Sequence, residues 1–203
     1  MSPRVIISII TKSNIRDNMK AIQTDIEGCF ILEPTVFGDH RGYFFESFNE
    51  RLFNELTGTS THFVQDNQSF SSRGVLRGLH AQAGEFAQAK LVRVLQGSVI
   101  DVAVDARKDS KTFGQHVAVE LSDENKRQLF VPRGFLHGFV VLSDVATFFY
   151  KCDNFYNKDA EWGARFDDSS LGIDWRLAHE DLVISEKDSI LPSFEVAVHS
   201  VIK

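Results

Sequence analysis

The stretch Ala89-Lys-Leu-Val-Arg-Val-Leu-Gln-Gly-Ser-Val-Ile-Asp-Val-Ala-Val-Asp105 contains two strand-forming runs that meet at Gln96-Gly97. In the second run, aliphatic residues alternate with a face that carries Asp101 and Asp105, and this period of two is typical of a β-strand. Gln96-Gly97 predicts a tight hairpin turn between the runs. Asp101 stands out, because an unpaired carboxylate inside an apolar strand is costly to bury.

Similar runs continue on both sides of this stretch. They are separated by turn residues roughly every ten positions, and they cover residues 29–32, 43–47, 63–64, 75–80, 116–121, 128–131, 136–142 and 147–152. The last two runs predict another hairpin, around Ser143-Asp144. So many short strands predict an all-β fold, a jelly-roll barrel or sandwich.

One helix is predicted near residues 48–57. Ser47 and Glu50 have the spacing of a capping box, and Gly58 follows the helical pattern as a stop signal. The chain after Asn154 indicates loops and helical turns, in which 185–188 is either a capped turn or a functional loop.

Composition limits the number of domains and the classes of function. We expect residues 1–18 to be an N-terminal extension and residues 19–203 to form a single domain. The formal net charge is −6 without a dense basic cluster, which argues against a nucleic-acid partner. The apolar run 5–10 is too short to cross a membrane. Cys29 and Cys152 are too few for a disulfide framework, which favours a reducing cytoplasm.

The corner Pro132-x-Gly134-x-x-His137 has the spacing of the second half of a cupin signature, which directs a histidine inward. The first half would place a second histidine two residues after His80, but Gln82 stands there. Because an amide oxygen is a poor substitute for imidazole toward zinc or iron, we expect a cupin-type barrel without a metal. Taken alone, His80 is a core histidine, the remnant of a metal site or a general base.

The most specific signal lies in separated blocks of sequence: Phe37-Gly-Asp-His-Arg-Gly-Tyr-Phe-Phe-Glu-Ser47, Phe63-Val-Gln-Asp-Asn67, Leu76-Arg-Gly-Leu-His80, Lys90-Leu-Val-Arg93, Asp101-Val-Ala-Val-Asp105, Pro132-x-Gly-Phe-x-His-Gly-Phe139, Tyr150-Lys151 and Ser185-x-Lys-Asp188. In order and spacing these blocks resemble the dTDP-4-dehydrorhamnose 3,5-epimerase family, from about Ile26 to Pro192. The resemblance implies a cofactor-independent, metal-free cupin enzyme of dTDP-rhamnose biosynthesis. Its substrate would be dTDP-4-dehydro-6-deoxy-D-glucose, inverted at C3 and C5. It also implies a homodimer in which N-terminal strands cross to the partner.

The resemblance also implies catalytic roles. Inversion beside a ketone needs a base, an acid on the opposite face and positive charge near the forming enolate. By similarity, His80 is the base and Asp188 orients it, while Tyr150 is the acid. Lys90 matches the residue that faces the enolate oxygen, and Asp101 matches a buried acid nearby.

Binding positions carry over in the same way. Arg77 and Lys187 match contacts to the phosphates, and Tyr156 matches the aromatic residue that stacks on thymine. The remaining matched positions lie around the nucleotide or the sugar: Arg41, Phe44, Glu46, Gln65, Asp66, Asn67, Lys90, His137 and Glu161. Arg41 and Glu46 are expected to serve the neighbouring subunit of the dimer.

Two departures from the family pattern leave alternatives open. The loop Ala83-Gly-Glu-Phe-Ala-Gln-Ala89 differs from the usual sequence before the lysine, and Val141 replaces a frequent threonine. Neither touches a proposed catalytic role. An epimerase that acts at C3 or C5 alone, a non-catalytic nucleotide-sugar-binding cupin and a metal-dependent cupin remain the alternatives.

Overall fold

The computed structural model describes residues 18–201. Its strands are β1 Met19–Gln23, β2 Phe30–Pro34, β3 Phe37–Asp39, β4 Gly42–Phe44, β5 Gln65–Ser72, β6 Val75–Gln82, β7 Lys90–Gln96, β8 Ser98–Asp105, β9 His116–Ser122, β10 Gln128–Val131, β11 Phe135–Val141, β12 Val145–Cys152, β13 Glu161–Gly163 and β14 Val183–Ile184. The α-helices are α1 Glu50–Thr57, α2 Glu186–Ser189 and α3 Phe194–Val201. Residues 1–17, and with them most of the expected N-terminal extension, lie outside the described residues.

The strands form two six-stranded sheets and a separate hairpin. The front sheet has the order β1-β2-β10-β7-β12-β5, and the back sheet has the order β13-β6-β11-β8-β9 with β14 beside β6. Strands β3 and β4 pair only with each other among residues 18–201. The predicted all-β, cupin-type fold is confirmed as a sandwich, because within the described chain the sheets are not closed into a barrel.

The hydrophobic core between the sheets follows from the alternation in the strands. Val92 and Leu129 of the front sheet belong to one buried cluster with Val99 and Ala103 of the back sheet. Asp101 shares the inner face of β8 with Val99 and Ala103, as the period of two predicts. Each outward face is covered as well, which is why these strands are apolar on both sides.

Separate segments cover the two outer faces. Phe53 of α1 packs with Phe30 and Phe130 on the outer face of the front sheet. The outer face of the back sheet packs against the C-terminal region, including Trp175 and Phe194. No helix among residues 18–201 is both long and apolar enough to span a bilayer.

The two predicted hairpins are wrong, because each turn joins strands of different sheets. Strand β7 pairs with β10 and β12, whereas β8 pairs with β9 and β11. The two turns support each other, since Ser98 N–H donates to Ser143 Oγ at 2.8 Å and Leu142 N–H donates to Ser98 O at 2.9 Å. A pattern that is apolar on both strand faces indicates a strand but does not specify its neighbour.

Helix α1 is confirmed, but its predicted capping box is wrong. Asn49 has extended backbone angles, and its side chain accepts a hydrogen bond from Leu52 N–H at 3.2 Å. The Ser47 carbonyl instead accepts from Gln128 Nε2 at 2.8 Å, which ties the segment before the helix to β10. Gly58 ends the helix in the left-handed conformation, as predicted.

Replacing Gly97 should destabilise the protein more than replacing Gly58. Both have positive φ, at +80° and +69°, so alanine costs each site about 1 kcal/mol of backbone strain. At Gly97 the added Cβ would also collide with the Val145 carbonyl and Ser143 Oγ, whereas nothing lies within 4 Å of it at Gly58. Urea unfolding should show Gly97→Ala losing about 2 kcal/mol more than Gly58→Ala. Equal losses would contradict the packing of the two turns.

Candidate active site

A cavity of about 640 Å³ opens between the two sheets. The front sheet contributes Asn67, Ser69, Lys90, Phe148 and Tyr150, among others. The back sheet and the segment after β14 contribute Arg77, His80, His137, Phe139, Ser185, Lys187 and Asp188. Most of the titratable residues expected to act on a substrate therefore lie around one space.

His80 and Asp188 form a hydrogen-bonded pair at the cavity wall. His80 Nε2 lies 2.8 Å from Asp188 Oδ1, and Gly78 N–H donates to Asp188 Oδ2 at 3.2 Å. Burial works to raise the pKa of Asp188, but the hydrogen bonds from His80, Gly78 and Ser185 lower it below its usual value. An ionised Asp188 fixes the hydrogen of His80 on Nε2, so that Nδ1 keeps its lone pair and can accept a proton.

Asp188 is held in place by its own helical turn. Ser185 caps α2, and its Oγ accepts a hydrogen bond from Asp188 N–H at 3.1 Å. The Asp188 side chain is buried against β6. The sequence left open whether segment 185–188 is a capped turn or a functional loop. In the structure it is a capped turn that also lines the cavity.

A second histidine–aspartate pair lies beside the first. His137 Nε2 is 2.9 Å from Asp101 Oδ2 and 3.1 Å from Oδ1, and Asp101 is completely buried. His137 stands opposite His80 in the pairing of β11 with β6. His137 is therefore the partner of Asp101, the carboxylate whose burial in an apolar strand stood out in the sequence. The His137 ring lines the cavity, and Asp101 lies behind it.

A bulge in β6 brings Arg77 and His80 to the same side of the strand. His137 pairs with His80 but Phe139 pairs with Arg77, so β6 carries one more residue than β11 at this point. The bulge depends on Gly78, whose φ is +128° and whose Cβ would lie 2.6 Å from Gly138 Cα. In a regular strand, two residues three positions apart would face opposite sides.

Tyr150 and Lys90 approach the cavity from the front sheet. Lys90 Nζ lies 5.8 Å from the centre of the Tyr150 ring. Burial raises the pKa of Tyr150, so the phenol keeps its proton at neutral pH. Burial lowers the pKa of Lys90, against the opposing charges of Asp101 and Glu161. A cation that is poorly solvated interacts strongly with any anion that forms beside it.

The rim of the cavity carries cations and an exposed aromatic ring. Lys187 Nζ donates to Glu161 Oε1 at 2.7 Å, and Tyr156 Oη donates to Glu161 Oε2 at 2.9 Å. On the inner side, Arg77 Nε and Nη2 each donate to Ser71 Oγ at 3.2 Å. The rim therefore carries positive charge beside a flat aromatic surface. A nucleoside diphosphate needs the first for its phosphates and the second for its base.

Five expected binding residues lie away from the lining and rim of this cavity. Arg41 and Phe44 line a separate surface pocket formed by the β3–β4 hairpin, where Arg41 pairs with Asp39 at 2.6 Å. Glu46 follows the hairpin and is half-buried. Gln65 and Asp66 lie on β5 beyond the cavity lining, and Asp66 pairs with Lys151 at 2.9 Å.

Gln82, which stands where the cupin signature has a second histidine, is hydrogen-bonded within the protein. Its side-chain oxygen accepts a hydrogen bond from Asn157 N–H at 2.8 Å, so this acceptor is already used by the protein. Among residues 18–201, no three His, Cys, Asp or Glu side chains are grouped as metal ligands.

The sequence did not predict the supporting roles of Ser71 and Gln82 or the aromatic floor of the cavity. The rings of Phe139 and Phe148 stack there with centres 4.1 Å apart. For Ser71 a signal was present, since the polar residues Gln65, Asn67, Ser69 and Ser71 alternate along β5 and indicate a polar inner face. The role of Gln82 had no local signal, because its partner is 75 residues away.

Comparison with known proteins agrees with this geometry. Residues 23–195 match the family model described as dTDP-4-dehydrorhamnose 3,5-epimerase. A protein of that name from Shigella flexneri is 54% identical over 170 residues, which cover 84% of this chain and 93% of the relative.

Solved structures give the same result. The dTDP-4-dehydrorhamnose 3,5-epimerase of Elizabethkingia anophelis is 59% identical with a TM-score of 0.86, covering 88% of this chain and 98% of its own. A dTDP-6-deoxy-D-glucose-3,5-epimerase from Legionella pneumophila, solved in complex with dTDP-4-keto-L-rhamnose, is 47% identical with a TM-score of 0.86, covering 90% and 96%. The chain therefore belongs to the dTDP-4-dehydrorhamnose 3,5-epimerase family.

Proposed function

We propose that the protein epimerises dTDP-4-dehydro-6-deoxy-D-glucose at C3 and C5, giving dTDP-4-dehydro-L-rhamnose. The observation that carries this proposal is the placement of His80 and Tyr150 on opposite sheets, with the cavity between them. Inversion of a carbon requires that a proton leave one face and that another arrive on the opposite face. Both carbons are adjacent to the C4 ketone, so the same chemistry serves each.

The proposed reaction uses the cavity residues in order. His80 Nδ1 takes the α-proton, and the electrons of the broken C–H bond move to the C4 oxygen as an enolate. Lys90 stabilises this negative charge, and Tyr150 then donates its proton to the other face of the carbon. The phenolate regains a proton from water, and His80 releases its proton to water. Asp188 holds the imidazole and stabilises its charged form.

The second histidine–aspartate pair contributes to the same cavity. Asp101 is buried and hydrogen-bonded to His137, which supports a role in fixing the His137 ring against the sugar. Arg77 and Lys187 bind the diphosphate, and Tyr156 stacks on the base. Asn67 lines the cavity near Tyr150, which it faces in the β5–β12 pairing.

We also propose a homodimer in which the β3–β4 hairpin crosses to the partner. The hairpin is exposed along both strands, and Phe37, Tyr43 and Phe44 are 53%, 62% and 69% exposed. Exposed aromatic clusters of this kind mark interaction surfaces. In the dimer, Arg41, Phe44 and Glu46 would reach the neighbouring subunit's cavity, and Gln65 and Asp66 would border it.

The cysteines support the proposal of a reducing cytoplasmic environment. Cys29 and Cys152 are both free and buried. Burial raises the pKa of Cys29 to about 12 and that of Cys152 to about 11, so both remain protonated thiols at neutral pH. Such thiols react slowly and act as small apolar core residues.

Incubation with dTDP-4-dehydro-6-deoxy-D-glucose in heavy water tests the reaction. We expect deuterium at both C3 and C5 of the product, detected by NMR. His80→Ala should slow exchange at both carbons by about 10²–10⁴-fold while retaining affinity for dTDP. His62→Ala, which removes an exposed histidine beside α1, serves as the matched control and should exchange normally. Label at one carbon would instead support a single-carbon epimerase, and binding without any exchange would contradict the enzymatic proposal.

Mixing two impaired variants tests the exchanged hairpin. Arg41→Ala should weaken the neighbouring site, and His80→Ala should inactivate its own site. In a hybrid dimer, one site combines an intact His80 with an intact Arg41 from the partner. Equal mixing after unfolding and refolding should therefore restore about a quarter of the wild-type sites. Activity no higher than the average of the separate variants would show that Arg41 acts within its own subunit or not at all.

A further inference from the structure

The loop between β12 and β13, residues 153–160, is held by hydrogen bonds to residues outside it. Gln88 Nε2 donates to the Asn154 carbonyl at 2.8 Å, and Asn154 Nδ2 donates to the Glu85 carbonyl at 2.8 Å. The loop carries Tyr156, which is 54% exposed at the rim of the cavity. Because the Tyr156 ring is exposed, packing against other side chains does little to fix its position. Its position therefore depends on hydrogen bonds to the backbone of the loop.

Two glutamine side chains from opposite sheets hold consecutive amides of this loop. Gln65 Oε1, on the front sheet, accepts from Tyr156 N–H at 3.2 Å. Gln82 Oε1, on the back sheet, accepts from Asn157 N–H at 2.8 Å. Gln82 is only 7% exposed, so water competes poorly for this hydrogen bond. We call these two contacts the amide clamp.

The amide clamp is connected to the charged rim. Gln82 pairs directly with Glu161 across the β6–β13 ladder. Glu161 accepts hydrogen bonds from both Tyr156 Oη and Lys187 Nζ. A shift of the loop would therefore move the Tyr156 ring relative to Glu161 and Lys187, although Gln82 does not itself line the cavity.

We propose that Gln82 is a positioning residue for the nucleoside diphosphate end of the substrate. This inference rests on the proposed function and deepens it. An aromatic face beside a lysine recognises a base and the phosphates attached to it, and the clamp sets the spacing between them. Proton transfer takes place at His80 and Tyr150, which the clamp does not touch. Gln82 therefore controls affinity and leaves the chemical step unchanged.

Two substitutions at one position separate the hydrogen bond from the packing. Gln82→Met keeps the length of the side chain but leaves Asn157 N–H without its acceptor, whereas Gln82→Glu keeps an acceptor oxygen. We expect Gln82→Met to raise the Kd for dTDP and the KM for the sugar nucleotide about five- to tenfold, with kcat within about twofold of wild type. Gln82→Glu should recover part of the affinity, because its oxygen restores the acceptor while its charge lies opposite Glu161. Titration calorimetry gives the Kd, and steady-state kinetics gives KM and kcat.

Amide hydrogen exchange measures the clamp without any ligand. Exchange at Tyr156 and Asn157 should be faster in Gln82→Met than in wild type and slow again in Gln82→Glu. Gln96→Met, which removes an exposed glutamine at the end of β7, should change neither exchange nor affinity.

Three outcomes would overturn the positioning role. These are an unchanged Kd for dTDP in Gln82→Met, an equal loss in the Met and Glu variants, and a fall in kcat without a change in KM. Failure of the proposed function has a different signature, because wild-type protein would then bind dTDP but leave the sugar nucleotide unchanged. The ratio of dTDP affinities among the variants would still decide the role of Gln82. Wild-type protein that does not bind dTDP would overturn both.

Discussion

The active cavity depends on the close approach of two glycines, Gly78 of β6 and Gly138 of β11. No side chain fits between them, because a Cβ on Gly78 would lie 2.6 Å from Gly138 Cα and one on Gly138 would lie 2.8 Å from the Arg77 carbonyl. This contact permits the bulge that places Arg77 and His80 on one side of the strand. A regular β6 would send one of these two side chains to the outer face, and the cavity would lose either the proposed base, His80, or the guanidinium of Arg77.

Both buried carboxylates of the site are paired with a histidine. Asp188 lies against His80, and Asp101 lies against His137, which satisfies two carboxylates that would be costly to bury alone. Tyr150 and Lys90 come from the facing sheet, across an apolar floor. The separation of the two sheets therefore sets the two faces from which protons would reach the sugar in the proposed reaction.

Much of this could be predicted from particular residues, and the failures have physical causes. The alternation in β8 correctly placed Asp101 on one face with Val99 and Ala103, and Gly58 was correctly predicted as the end of α1. The turn at Gln96-Gly97 predicts a hairpin that does not form, because a strand buried on both faces does not reveal its partner. The capping box predicted at Ser47 is wrong because Asn49 is an equally good capping residue, and only the distant contact between Ser47 and Gln128 distinguishes the two positions. The bulge at Gly78 and the partner of Gln82 depend on distant contacts that local sequence does not encode.

The most direct test of two-sided proton transfer is deuterium wash-in with Tyr150→Phe. This variant keeps the ring, which lies 6.1 Å from that of Phe148, but removes the acid. In heavy water His80 should still remove the α-proton and return a deuteron to the same face. The recovered starting sugar should therefore gain deuterium, and the ratio of wash-in to inversion should rise by about 10²-fold over wild type. If wash-in and inversion fall by the same factor, Tyr150 is not the acid and the account of two opposed faces is wrong.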